Sequence, residues 1–112
     1  MSKIRLRLPW PSDSVAPRPT VEADPLEPPY SGLCVHRAVM SPDRWPWVVS
    51  ARASGLLVGV GDSPEEAIRS ACNRVYYLAR DRDVSVDDYL ADRHRVALEQ
   101  FGADTLGGEV TP

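Results

Sequence analysis

Two histidines and two cysteines are the side chains here with the most chemistry in them: His36, His94, Cys34 and Cys72. A thiolate beside an imidazole would make a nucleophile, and three or four such groups would hold a transition metal. Their spacing argues against both, because Cys34 and His36 sit two apart on what reads as one strand face and the other two lie far along the chain. Two ligands from one strand need partners from elsewhere, and the cysteine spacing is neither a disulfide framework nor a zinc pattern. Asp81, Asp83, Asp87, Asp88 and Asp92 raise a second prospect, a divalent cation or an acid/base pair. They are interleaved with Arg80, Arg82, Arg93 and Arg95, the pattern of mutually paired surface charge. Gly59 and Gly61 precede a helix start and so suggest a phosphate cradle, yet no G-x-x-x-x-G-K-[ST] pattern follows and Glu65 and Glu66 would repel an anion there. No catalytic set, metal or cofactor is expected.

Residues suited to contact are better marked. Arg69, Asn73, Tyr76 and Arg80 recur at i, i+4, i+7 and i+11, one stripe on a helix, with Tyr77 further round on the solvent side. Tyr and Arg dominate the energetic centres of protein interfaces. Trp45 and Trp47 flank Pro46, which turns one indole inward and the other outward; Trp47 is expected in the core and Trp45 at a partner.

The elements that must position these residues follow from patterning. A chain of 112 residues with 43% hydrophobic and 26% charged residues is one domain with one modest core. Seven of the eleven prolines lie in the first thirty residues, so residues 11–30 are expected to be irregular or polyproline-like, within a proline-rich arm at 1–31. Ahead of them Ile4, Leu6, Leu8 and Trp10 alternate with Lys3, Arg5 and Arg7, the period of an edge strand with one cationic face. A strand is predicted over 33–39, broken by Ser41, Pro42, Asp43 and Arg44, and a hairpin over 47–60 turning at Ser54 and Gly55. Ser63 as N-cap, Pro64 in the first turn and Glu66 completing a capping box open a helix to about Arg80, whose buried stripe reads Ile68, Ala71, Cys72, Val75, Leu78 and Ala79. Ser85 and Asp88 open a second helix with Val86, Tyr89, Leu90, Ala97 and Phe101 inward and Gly102 as its cap. The fold class is therefore α+β: a small antiparallel sheet, hairpin 47–60 plus strand 33–39, packed by two C-terminal helices in a ββα-type domain over 32–102, with a flexible tail at 103–112.

Two resemblances rest on these residues. The hairpin followed by Gly61-Asp62-Ser63-Pro64-Glu65-Glu66-Ala67-Ile68 resembles the strand-to-helix junction of HicB-type antitoxins and of small phage ββα proteins, over residues 45–80. Leu6-Arg7-Leu8-Pro9-Trp10-Pro11-Ser12 resembles the opening strand of RusA-type Holliday junction resolvases. Both likenesses imply a phage or mobile element. The net charge of −3, with twelve arginines and a single lysine, Lys3, argues against indiscriminate binding to nucleic acid. No apolar run reaches a membrane-spanning length, and a cytoplasmic setting in the host cell is the expectation. The resulting reading is a non-enzymatic protein acting stoichiometrically on a host protein complex, such as a CRISPR or other nucleic-acid-processing effector, in the manner of an anti-CRISPR inhibitor. Arg69, Asn73, Tyr76, Tyr77, Arg80 and Trp45 would form the partner surface, and the chain itself could pair as a homodimer. The alternatives are an antitoxin-like nucleic-acid-binding regulator and, behind it, a metal-dependent nuclease.

Overall fold

A computed structural model describes residues 3–11, 13–39 and 43–110; Ser12, the break read at Ser41 and Pro42, and the end of the tail at Thr111 and Pro112 lie outside them. The chain is an α+β fold with six strands, β1 (Ile4–Arg7), β2 (Thr20–Pro25), β3 (Leu33–Arg37), β4 (Trp47–Ala51), β5 (Leu57–Gly61) and β6 (Gly108–Glu109), and two helices, α1 (Pro64–Asp81) and α2 (Val86–Phe101), between β5 and β6. The strands form one antiparallel sheet in the order β5-β4-β3-β2-β1-β6.

The sheet curls back on itself through its last strand. Leu6 and Arg7 pair with Glu109 and Gly108. On the other side, the Gly107 and Glu109 amides donate to the Ser54 and Arg52 carbonyls, each at 2.7 Å. β6 therefore joins β1 to the turn after β4, and the short strand satisfies main-chain groups from both ends of the sheet.

Alternation in β3 and β4 sorts the core into two layers. Leu33, Val35 and Val49 face α1, which buries Ala67, Ala71, Val75 and Ala79 against them. The approach of α1 to β5 is close enough to require glycine: a Cβ on Gly59 would lie 2.7 Å from the Ala71 amide nitrogen, and one on Gly61 would lie 2.5 Å from that of Ala67. The predicted stripe is displaced accordingly. Ile68, Cys72 and Leu78 are half-buried and Ala67 takes the inner position, because small residues face the glycines of β5. The opposite sheet face carries a second cluster of Leu6, Ala23 and Cys34 with Ile4, Leu8 and Val21 packed on it.

That second cluster revises the picture of the ends of the chain. The proline-rich segment 1–31 supplies two strands, and Leu6 has no exposed surface. Ile4, Leu6 and Leu8 have their apolar side inward with Arg5 and Arg7 outward, as the alternation predicted. The irregular stretch expected over 11–30 is interrupted by β2, whose one proline, Pro25, ends the strand. Arg18 ties the connection to the tail: its guanidinium donates to the carbonyls of Trp10, Asp104, Thr105 and Leu106. The segment 103–112, expected to be flexible, thus contains buried Leu106 and strand β6.

Both helix starts follow their capping residues. Ser63 Oγ accepts the Glu66 amide at 3.2 Å, and Glu66 Oε2 accepts the Asp62 amide at 3.0 Å, a reciprocal capping box. Ser85 Oγ accepts the Asp88 amide at 3.0 Å. Gly102, at φ 83, closes α2. Of the inner face predicted for α2, Tyr89 and Ala97 are buried and Val86 and Leu90 half-buried, whereas Phe101 is 50% exposed. Among the described residues, no helix is long and apolar enough to cross a membrane.

Candidate functional site

The outer face of α1 presents all five helix residues singled out from spacing. Arg69, Asn73, Tyr76, Tyr77 and Arg80 are exposed, the two tyrosines at 47% and 58%. Consecutive tyrosines diverge on a helix, yet these rings meet edge to face, with centroids 5.3 Å apart and planes at 72°. Among the described residues neither Arg69 nor Arg80 forms an ion pair. Beside Tyr76 lies a hollow of about 390 Å³ lined by Pro29, Tyr30, Ala79, Arg80, Val84, Ser85 and Val86. Burial pushes the Tyr30 hydroxyl up, with Cys72 and Tyr76 adding to the shift, and burial likewise pushes up the Cys72 thiol. The Tyr30 hydroxyl is therefore neutral at physiological pH, and among the described residues that line the hollow Arg80 is the one that is charged.

Trp47, expected in the core, packs at its edge. Trp47 is half-buried at the start of β4, with the Arg37 guanidinium 4.5 Å from its ring centre, a cation–π contact. Trp45 is 41% exposed. It does not line the hollow beside Tyr76.

Cys34 and His36 do share a face, and the structure adds a partner that sequence spacing did not indicate. His36 Nδ1 lies 2.8 Å from the Arg37 carbonyl and Nε2 lies 2.8 Å from Ser50 Oγ. A carbonyl can only accept, so Nδ1 carries the hydrogen and Ser50 donates its hydroxyl to Nε2. A serine hydrogen-bonded to an oriented imidazole is the arrangement of a nucleophile and its base. Here it is enclosed, for His36 is 3% and Ser50 1% exposed, and neither lines the groove or the hollow. Burial lowers the pKa of His36 and keeps the ring neutral. Burial pushes the Cys34 thiol up to about 12; its S–H donates to the Ser50 carbonyl at 3.5 Å. The three side chains cross-link β3 to β4 inside the second core layer.

The acidic segment is partly paired, as the interleaved arginines suggested. Asp92 accepts from Arg82 at 3.2 Å and Arg95 at 2.8 Å, and Arg95 reaches Glu99 at 2.9 Å. The Arg95 hydrogen bond holds the Asp92 carboxyl below its ordinary range, helped by the charges of Arg95, Arg82 and Arg93. Among the described residues no three His, Cys, Asp or Glu side chains converge on a metal site.

Sequence reasoning missed a groove of about 760 Å³ between α2 and the β4–β5 hairpin. Ala51, Leu56, Leu57, Val58, Val75, Tyr89, Leu90, Ala97 and Phe101 make its apolar surface, and Arg74, Asp87, Arg93 and His94 lie among them. His94 Nδ1 is buried with no hydrogen-bond partner among the described residues. One signal was available: His94 falls at helical spacing between Leu90 and Ala97, on the face that turns inward. The rest of the lining comes from the β4–β5 hairpin, α1, β6 and the chain before β3, which no local pattern connects. No family model, curated protein or solved structure matches this chain.

Proposed function

We propose that this chain is a non-enzymatic binding protein that acts stoichiometrically on a protein partner through the outer face of α1. The observation that carries the reading is the Tyr76–Tyr77 pair, exposed on a helix whose other side is buried in the core and bordered by two arginines that form no ion pair among the described residues. Large aromatics held on a rigid element lose little conformational freedom on binding, and tyrosine with arginine is the composition concentrated at interface hot spots. The hollow beside Tyr76 is suited to an apolar side chain, with Arg80 at hand for a carboxylate. The narrower form is a phage or mobile-element inhibitor of a host nucleic-acid-processing complex, of the anti-CRISPR kind. The two resemblances and the acidic balance of the chain support that form.

The test is quantitative capture from a host lysate with three baits: wild type, Arg69→Ala/Tyr77→Ala, and Ser70→Ala on the neighbouring surface of α1. A captured complex is expected to be retained by wild type and Ser70→Ala, and to bind the double variant at least about thirtyfold more weakly, the scale of a hot-spot loss of about 2 kcal/mol. Equal binding by all three removes α1 as the contact face. Salt-sensitive binding of DNA or RNA by the chain alone would instead favour the antitoxin-like regulator, and cleavage dependent on magnesium or manganese the nuclease.

A further inference from the structure

The groove lies apart from the proposed contact face: Arg74 and Val75 of α1 line it, whereas Tyr76, Ala79 and Arg80 line the hollow. Its volume of about 760 Å³ falls within the span usual for small-molecule sites, roughly 300–1,000 Å³. Its surface combines an apolar body with a few polar groups, the usual composition of such sites. Leu57 and Phe101 line it while remaining 58% and 50% exposed, so its mouth holds apolar surface that an occupant would remove from water.

Charge selects among apolar ligands. Arg52 is answered by Glu109, with Nη2 and Oε2 3.0 Å apart. Arg74 and Arg93 form no ion pair among the described residues, and Asp87 is the one other carboxylate of the lining. The groove is thus cationic in a chain of net charge −3. His94 adds a polar group: its buried Nδ1 has no hydrogen-bond partner among the described residues and offers a ligand an unsatisfied atom.

We propose that the groove is a binding site for a small amphipathic anion, a carboxylate carried on a hydrocarbon or aryl body, with Arg74 and Arg93 engaging the charge and Leu56, Val58, Leu90 and Ala97 enclosing the apolar part. Guanidiniums pair with carboxylates through two parallel hydrogen bonds, which fix the orientation of the anion while the apolar lining takes its hydrocarbon part.

The experiment titrates the full chain, labelled with ¹⁵N, with decanoate and separately with decyltrimethylammonium, each below its micellar concentration. Decanoate is expected to shift amides of α2 and of residues 51–58 saturably, and to bind at least about tenfold more tightly than the cation, a margin that one charge-assisted contact supplies. Arg74→Gln/Arg93→Gln, both changes at exposed positions, is expected to keep the wild-type melting temperature and bind decanoate about tenfold more weakly. The proposal is overturned by equal affinity for the two probes, by shifts confined to the outer face of α1, or by an unchanged decanoate affinity in the double variant. A concentration-dependent dimer whose interface shifts cover these same residues also overturns it, since a second copy would then be the occupant.

Discussion

The two helices open with the same device and are held in different ways. In each, a serine hydroxyl accepts the amide three residues on and two acidic residues occupy the first turn. Beneath α1, however, four residues are buried against strands whose glycines admit the helix backbone. Only Tyr89 and Ala97 are buried on α2, and the groove runs under it. Its outer surface is laced instead by Arg82, Asp92, Arg95 and Glu99. Caps thus decide where a helix begins, while the residues beneath it decide how firmly it is held. A tightly seated α1 can give its whole outer face to binding without loss of stability, and a loosely seated α2 leaves room for a ligand.

The contrast is broken most severely by adding bulk on each side. Gly59→Val places side-chain atoms against the backbone of Ala71 and is expected to cost about 3 kcal/mol or to prevent folding, as overpacking does in close contacts. Ala91→Val, on the exposed side of the groove lining, should cost about 0.5 kcal/mol, the helix-propensity difference alone. Urea denaturation of the two variants measures both, and similar losses would show that α2 is seated as tightly as α1.

A smaller effect sharpens the comparison at the caps. Ser63→Ala should lower global stability by about 1 kcal/mol, because α1 cannot fray without exposing the core. Ser85→Ala removes an equivalent bond at 3.0 Å, yet its loss should appear first as faster amide exchange within the opening turns of α2, with the global midpoint moving less. Equal shifts of the urea midpoint would place the two helices in one cooperative unit.

The smallest effect is the pH response of the α2 surface. The Asp92 carboxyl is held below its usual value of 3.8, so its stabilising contribution is fully present above that pH and is lost as pH falls below it toward the depressed folded-state value. Amide exchange in α2, corrected for intrinsic rates, should therefore accelerate on acidification in that range before exchange in α1 does. Asp92→Asn should remove that difference, and 1 M salt should reduce it, because these charges are exposed and screened. Simultaneous acceleration in both helices would mean that the ion pairs do not contribute to holding α2.

The parts of this molecule readable from residue order alone are those with local causes. Ser63, Pro64 and Glu66 define a helix start whatever lies around them, Gly55 permits the turn at φ 77, and the spacing of Arg69, Asn73, Tyr76 and Arg80 places them on one face. The α+β class and the exposed surface of α1 follow from these. The rest depended on partners distant in sequence. Pro9 to Pro29 read as an arm because proline disfavours strands, but Leu6 and Ala23 pair with Val21 and Ile4 in a hairpin, and Arg18 engages carbonyls more than eighty residues away. The Ser50–His36 bond joins two strands and needs their register, and the groove needs five segments at once. Gly59 and Gly61 show the boundary most clearly: as residues they suggested a phosphate cradle, and only the approach of Ala67 and Ala71 reveals that they make room for a helix backbone, a steric demand set by the partner rather than by the glycines themselves.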